Sequence, residues 1–131
     1  MRYAELLGQK LNRHKVQVWL INTGWSGGPY GTGKRIALGH TRAMVNAALD
    51  GTLNDIPTKR EPFFGLMVPD SCPGVPDQIL SPRETWPSGA DYDSQAQKLA
   101  ALFRKNFEKF SDQTSPEIQA AAPPALLNDR A

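Results

Sequence analysis

Residues 15–22 read KVQVWLIN. In an extended chain Val16, Val18 and Leu20 face one way and Trp19 and Ile21 the other. A strand that is apolar on both faces must be covered on both, which makes it an interior strand of a layered sheet. Before it, Tyr3, Leu6, Leu7 and Leu11 recur at helical spacing and predict an amphipathic helix over residues 2–13. After it comes a Gly-rich stretch. The order helix, strand, Gly-rich loop predicts an α/β arrangement.

The rest of the chain fits around that strand. Residues 35–38 read as a short extended piece. Thr41 is placed to cap a helix over RAMVNAALD, where Met44, Val45, Ala48 and Leu49 repeat at helical spacing and Gly51 stops it. FFGLMV at 63–68 predicts a second buried strand, closed by Pro69. Pro69, Pro73, Pro76, Pro82 and Pro87 make the next segment an ordered loop or wrapping arm rather than a helix. Residues 91–110 give the clearest helix. Its apolar stripe of Ala96, Leu99, Phe103, Phe107 and Phe110 is expected to face the core, with Lys98, Arg104, Lys105, Glu108 and Lys109 covering much of the other side. From Ser111 onward the chain is expected to be weakly ordered.

Composition limits the function classes. At 131 residues the chain fits one domain able to bury about two-thirds of its unfolded surface. A net charge of +2 with no basic stripe argues against nucleic acid. No apolar run approaches a membrane span, and the start MRYAELLGQKLNRHK lacks the apolar stretch of a signal peptide. The single cysteine, Cys72, fits a reducing cytoplasm.

The chemistry concentrates in residues 25–36, WSGGPYGTGKRI. Gly28 to Lys34 fits the phosphate-binding pattern G-x-x-x-x-G-K, but Arg35 stands where the metal-binding hydroxyl belongs. The chain after Lys34 reads as extended, so Lys34 is not at a helix N-terminus, and Pro29 and Tyr30 are bulky for a loop that folds around phosphate. These points exclude a Walker A loop. Two readings stay open: a turn whose four glycines serve backbone conformation alone, and a site for an anion or nucleotide drawn by Lys34 and Arg35 beside a closely approachable backbone.

Elsewhere the chain offers little chemistry. His14 and His40 are isolated, with no metal-ligand spacing, and His40 reads as a solvated loop residue. Cys72 reads as a structural thiol, and Trp19 and Trp25 as packing residues. Asp50, Asp55, Glu61 and Asp70 are scattered and form no acid/base pair.

NTGWSGGPYGTGKRIALGHTRAMVNAALDG resembles the C-terminal part of ATP-dependent phosphoenolpyruvate carboxykinases. YAELLGQKL, VWLINTGW, FFGLMVPDSCPGVPDQILSPRETW and LAALFRKNFEKF are similar to successive segments of that family, so the resemblance spans about residues 2–122. The GTP-dependent class has a different sequence here. The resemblance departs at Gly39-His40 and after Pro123. It implies an α/β fold, the C-terminal part of the carboxykinase mononucleotide-binding domain over residues 1–122, with a mixed sheet, flanking helices and a weakly ordered tail at 123–131. It also implies the conversion of oxaloacetate and ATP to phosphoenolpyruvate, ADP and CO₂ with Mg²⁺ and Mn²⁺. The phosphate loop, metal ligands and catalytic residues of the family lie upstream of the matched region. The residues left for this chain are a wall of the adenine pocket: Arg35 and Ile36 along base and ribose, and Thr41 on the adenine side. The Thr41 hydroxyl has capping as its competing role. The chain alone is then expected to be inactive. The alternatives are a stand-alone nucleotide-binding module and a structural remnant without ligand.

Overall fold

The computed structural model describes residues 2–29 and 31–124. Helix α1 (Arg2–His14) ends where Lys15 turns into the left-handed region at φ 48° and returns its amide to the Leu11 carbonyl at 2.9 Å. Residues 16–23 follow without regular structure. A short hairpin pairs β1 (Trp25–Ser26) antiparallel with β2 (Lys34–Arg35), Trp25 opposite Arg35 and Ser26 opposite Lys34. Helix α2 (Leu38–Leu49) leads through Gly51, at φ 83°, into a 3-10 turn over Thr52–Asp55. A second antiparallel hairpin joins β3 (Thr58–Arg60) to β4 (Met67–Pro69). Two single-turn helices, α3 (Asp77–Leu80) and α4 (Pro82–Thr85), precede the long α5 (Gly89–Phe107), a 3-10 stretch over Glu108–Gln113 and α6 (Pro116–Ala120).

Helix and strand thus coexist as an α/β composition requires, but among the described residues the sheets are two small hairpins rather than one mixed sheet. The strand expected over 15–22 is absent for a physical reason. A strand needs a hydrogen-bonded neighbour, and among the described residues nothing pairs with it. Its outward residues Val16, Val18 and Leu20 stay 53%, 66% and 82% exposed, whereas Trp19 packs as expected against the core.

The strand expected over 63–68 is also displaced. The Glu61 carboxylate accepts the amides of Phe63 at 2.9 Å and Phe64 at 2.7 Å, folding these residues into the turn between β3 and β4. Phe63 is buried there, edge-on to Tyr92 at 5.8 Å, and Tyr92 in turn meets Trp86 at 5.6 Å. Between Pro69 and Pro87 the chain is ordered, as expected, but α3 and α4 add single helical turns, the second opened by Pro82.

Helix α5 starts at Gly89, ahead of the expected Asp91, because the Ser88 hydroxyl accepts the Asp91 amide at 3.2 Å and caps it. Its buried face is Ala96 and Ala100. Leu99, Phe103 and Phe110 of the expected core stripe are 42%, 56% and 45% exposed, with Phe103 touching only an edge of Phe64 among the ring pairs. On α2 the inward face is Ala43, Met44, Ala47 and Ala48, while Leu49 points out. The segment from Ser111, expected to be weakly ordered, forms the 3-10 stretch and α6; residues 125–131 of the expected tail lie outside the described residues.

The main core is small: Ala47, Leu53, Cys72 and Val75, with Trp19, Met44, Ile56, Ile79 and Leu80 packed around it. Alanines contribute little area and no large side chain is fully buried among the described residues. The accessible surface is 10143 Å². A folded monomer of 14.4 kDa is expected to expose about 6,800 Å². Among the described residues, α1, 16–20 and α5 all expose large apolar side chains.

Two measurements check this architecture. The purified chain should bind a hydrophobic dye strongly in its folded form. The double substitution Val18→Lys, Leu20→Lys should reduce that signal while changing unfolding free energy by no more than about 0.5 kcal/mol, since both side chains are exposed.

Candidate functional site

The hairpin β1–β2 is built around its glycines. Pro29 offers its carbonyl to the amides of Thr32 at 3.0 Å and Gly33 at 2.9 Å, closing the loop, and the Ile36 amide reaches the Gly24 carbonyl at 3.1 Å. At Gly33 a Cβ would lie under 3.0 Å from the carbonyl oxygens of Gly28 and Ser26, so the two arms of the loop approach as closely as a hydrogen side chain allows. Tyr30 lies outside the described residues.

One hydroxyl anchors this loop to the far segment. Thr85 Oγ1 lies 2.7 Å from the Pro82 carbonyl, 3.0 Å from the Gly27 amide and 3.1 Å from Ser26 Oγ. Gly27 sits at φ 77° with its Cβ position 3.0 Å from the Thr85 carbonyl, so only glycine fits against the end of α4. The same segment is braced on α5 by Arg83, whose guanidinium grips both oxygens of Asp93 at 2.8 and 3.0 Å. Both partners are solvent-exposed enough for that pair to serve geometry more than stability. The hydrogen bond to Arg83 holds the Asp93 carboxyl below its ordinary range.

Between hairpin, α2 and α3–α4 lies an open cavity of about 460 Å³, with Ser26, Thr32, Lys34, Arg35, Ile36 and His40 on one side and Ile79 and Thr85 on the other. Lys34 and Arg35 give the wall positive charge and Ile36 an apolar surface; among the described residues no carboxylate lines it. A divalent cation does not fit such a wall, and among the described residues no three His, Cys, Asp or Glu side chains converge on one point. An anion with a flat apolar portion does fit.

The structure brings Arg35 and Ile36 into this cavity but not Thr41. Helix α2 begins earlier than expected, with Ala37 at its N-cap and no side-chain cap, and the Thr41 amide already bonds the Ala37 carbonyl at 3.2 Å. Capping by Thr41 is therefore ruled out: its position is inside the first turn. Leu38-Gly39-His40 carries no helix-start signal; His40 is instead held from outside, its Nδ1 3.1 Å from the Gly74 carbonyl. That contact also corrects the solvated-loop reading of His40.

Sequence reasoning missed Ser26, His40, Ile79 and Thr85 as wall residues. Their only sequence signal was proximity to the glycines, for Ser26 and His40. Thr85 and Ile79 come from the Pro-rich segment, whose return to the loop no local pattern encodes. Cys72 is buried, and desolvation, reinforced by the Asp50 charge, pushes its thiol up, which fits a structural role. Trp25, expected to pack, stays 45% exposed.

Residues 1–78 match the family model of phosphoenolpyruvate carboxykinase. The chain belongs to this family. It is 54% identical over 119 residues to the phosphoenolpyruvate carboxykinase (ATP) of Pelobacter propionicus, covering 91% of this chain and 22% of the relative. It is 54% identical over 121 residues to a phosphoenolpyruvate carboxykinase (ATP) of Salinibacter ruber, with 92% and 23% covered. With one from Moorella thermoacetica the identity is 56% over 112 residues, covering 86% and 21%. The chain thus spans about a fifth of the length of the curated relatives it matches.

Substituting the crowded glycine tests the hairpin. Gly33→Ala should cost about 1–3 kcal/mol by overpacking. Gly39→Ala, in the first turn of α2 where nothing lies within 4 Å of the added Cβ, should be neutral or stabilising by up to about 1 kcal/mol. Denaturant unfolding of the two variants reads the difference.

Proposed function

We propose that this chain supplies the adenine-side wall of the nucleotide site of an ATP-dependent phosphoenolpyruvate carboxykinase. The whole enzyme converts oxaloacetate and ATP to phosphoenolpyruvate, ADP and CO₂, a lyase step of gluconeogenesis in the cytoplasm. The observation that carries this reading is the joint placement of Arg35 and Ile36 in one cavity behind the Gly-rich hairpin, within a chain similar to these enzymes along 91% of its length.

Each residue then has a physical role. The Arg35 guanidinium is planar and weakly hydrated, and it stacks on the purine face. Ile36 covers the base and ribose with apolar surface. Lys34, its neighbour in β2, adds positive charge on the side of the phosphates. Thr41, next to His40 on α2 but outside the cavity lining, is left to meet the adenine at the rim of the site. Phosphoryl transfer depends on positioning and electrostatic stabilisation, and this wall provides positioning alone. The divalent ions and the oxaloacetate and phosphoenolpyruvate sites belong to the remainder of the enzyme, because the cavity wall is cationic. Among the described residues no helix is long and apolar enough to cross a membrane, and the +2 charge gives no nucleic-acid surface.

Calorimetric titration with ATP tests the reading. Saturable binding should appear and weaken about tenfold in Arg35→Ala, the size of a lost stacked guanidinium. The purified chain should show no ATP- and Mn²⁺-dependent decarboxylation of oxaloacetate. Activity that disappears in Arg35→Ala would overturn the division of labour, and absence of ATP binding would favour a structural remnant.

A further inference from the structure

We infer that Ser26 and His40 select the base of the bound nucleotide by presenting hydrogen-bond acceptors to the cavity, with Thr85 as the positioning residue that fixes the polarity of Ser26. The inference rests on the nucleotide reading above and deepens it from a wall to a choice of base.

A threonine hydroxyl has one proton and two lone pairs. The Pro82 carbonyl, 2.7 Å from Thr85 Oγ1, can only accept, so the Thr85 proton goes there. The Gly27 amide, at 3.0 Å, can only donate and fills one lone pair. Ser26 Oγ, at 3.1 Å, must therefore donate its own proton into the other. Every site on the Thr85 hydroxyl is used, and Ser26 is left with lone pairs and no proton to offer. Ser26 lines the cavity.

His40 is committed in the same sense from a different direction. Its Nδ1 lies 3.1 Å from the Gly74 carbonyl, an acceptor, so Nδ1 carries the proton. In the neutral ring Nε2 then has a lone pair only. His40 also lines the cavity. Two side chains from different elements, Ser26 oriented by the Thr85 hydroxyl and His40 by the Gly74 carbonyl, thus offer acceptors to the same ligand. Thr32 can serve as donor or acceptor and does not discriminate. Arg35 stacked on a base keeps its N–H groups in a plane parallel to the ring, away from the ring edge.

A base carrying an exocyclic amine meets these acceptors with N–H donors. A base with an oxo group at the same place meets lone pair with lone pair. The wall is therefore selective for a 6-amino purine over a purine lacking the amine or carrying oxygen there, because an acceptor that the bound base covers without offering it a donor is penalised.

The test compares ATP, purine riboside triphosphate, which lacks the amine, and GTP, titrated into the purified chain at pH 8. ATP should bind about tenfold tighter than either. Ser26→Ala should cut that preference at least threefold, and Ser26→Ala with His40→Phe should abolish it. Thr85→Val should behave as Ser26→Ala, and Thr85→Ser should restore it. Two readouts need no nucleotide. Nitrogen NMR of His40 should report the Nδ1–H tautomer, and the Gly27 amide should lose protection from hydrogen exchange in Thr85→Val but keep it in Thr85→Ser. Equal affinity for ATP and purine riboside triphosphate would sink the inference and leave the nucleotide reading standing. Failure of every nucleotide to bind would overturn both. An Nε2–H tautomer, or unchanged Gly27 exchange in Thr85→Val, would overturn the proton assignment whatever the affinities.

Discussion

The cavity depends on one saturated hydroxyl. Thr85 receives the Gly-rich hairpin through Gly27 and Ser26 and passes its own proton to Pro82, joining segments 58 and 59 residues apart in the chain. Without that junction β1–β2 is a two-residue hairpin, a unit of marginal stability alone. With it, the end of α4 becomes the opposite wall of the cavity, and the Arg83–Asp93 grip carries the same segment onto α5. The glycines complete the fit: at Gly33 backbone meets backbone too closely for a side chain, and Gly27 holds φ 77° against the end of α4.

Much of this was legible in the sequence, in a graded way. The helix over 2–13, the stop at Gly51, and the pairing of Arg35 and Ile36 beside a Gly-rich loop follow from local chemistry, and the family followed from the long run NTGWSGG through GKRI. What failed was inference from periodicity to burial. Residues 15–22 have the pattern of an interior strand, and Phe103 and Phe110 that of a core stripe, yet Val16, Val18, Leu20, Phe103 and Phe110 are exposed. Periodicity shows which residues would share a face and says nothing of whether the chain supplies something to cover it. Local competition caused the other misses. The Glu61 carboxylate took the amides of Phe63 and Phe64 that a strand would have used, and Ser88 rather than the residues after it set the start of α5. Thr41 is a good capping residue in a place where the helix had already begun.

The failures of burial share one cause. Among the described residues the buried ones are few and mostly small, and many long apolar side chains lie outside, in a chain about a fifth the length of its relatives. Ala47, Ala96 and Ala100 allow elements to approach closely but add little hydrophobic free energy. The site, by contrast, is defined by short hydrogen bonds among residues 24–36, 74 and 82–85, and these depend on backbone geometry more than on burial. The wall of the cavity is therefore better specified than the body that carries it.

The segment 16–23 carries that imbalance furthest. It is extended in sequence character, apolar at alternate positions, and anchored midway by Trp19, whose indole N–H is buried without a hydrogen-bond partner. Among the described residues its backbone makes no ladder on either side. In solution this is an open edge with side chains already sorted for pairing. The same alternation that leaves Val16, Val18 and Leu20 in water makes the segment a ready template for a further strand.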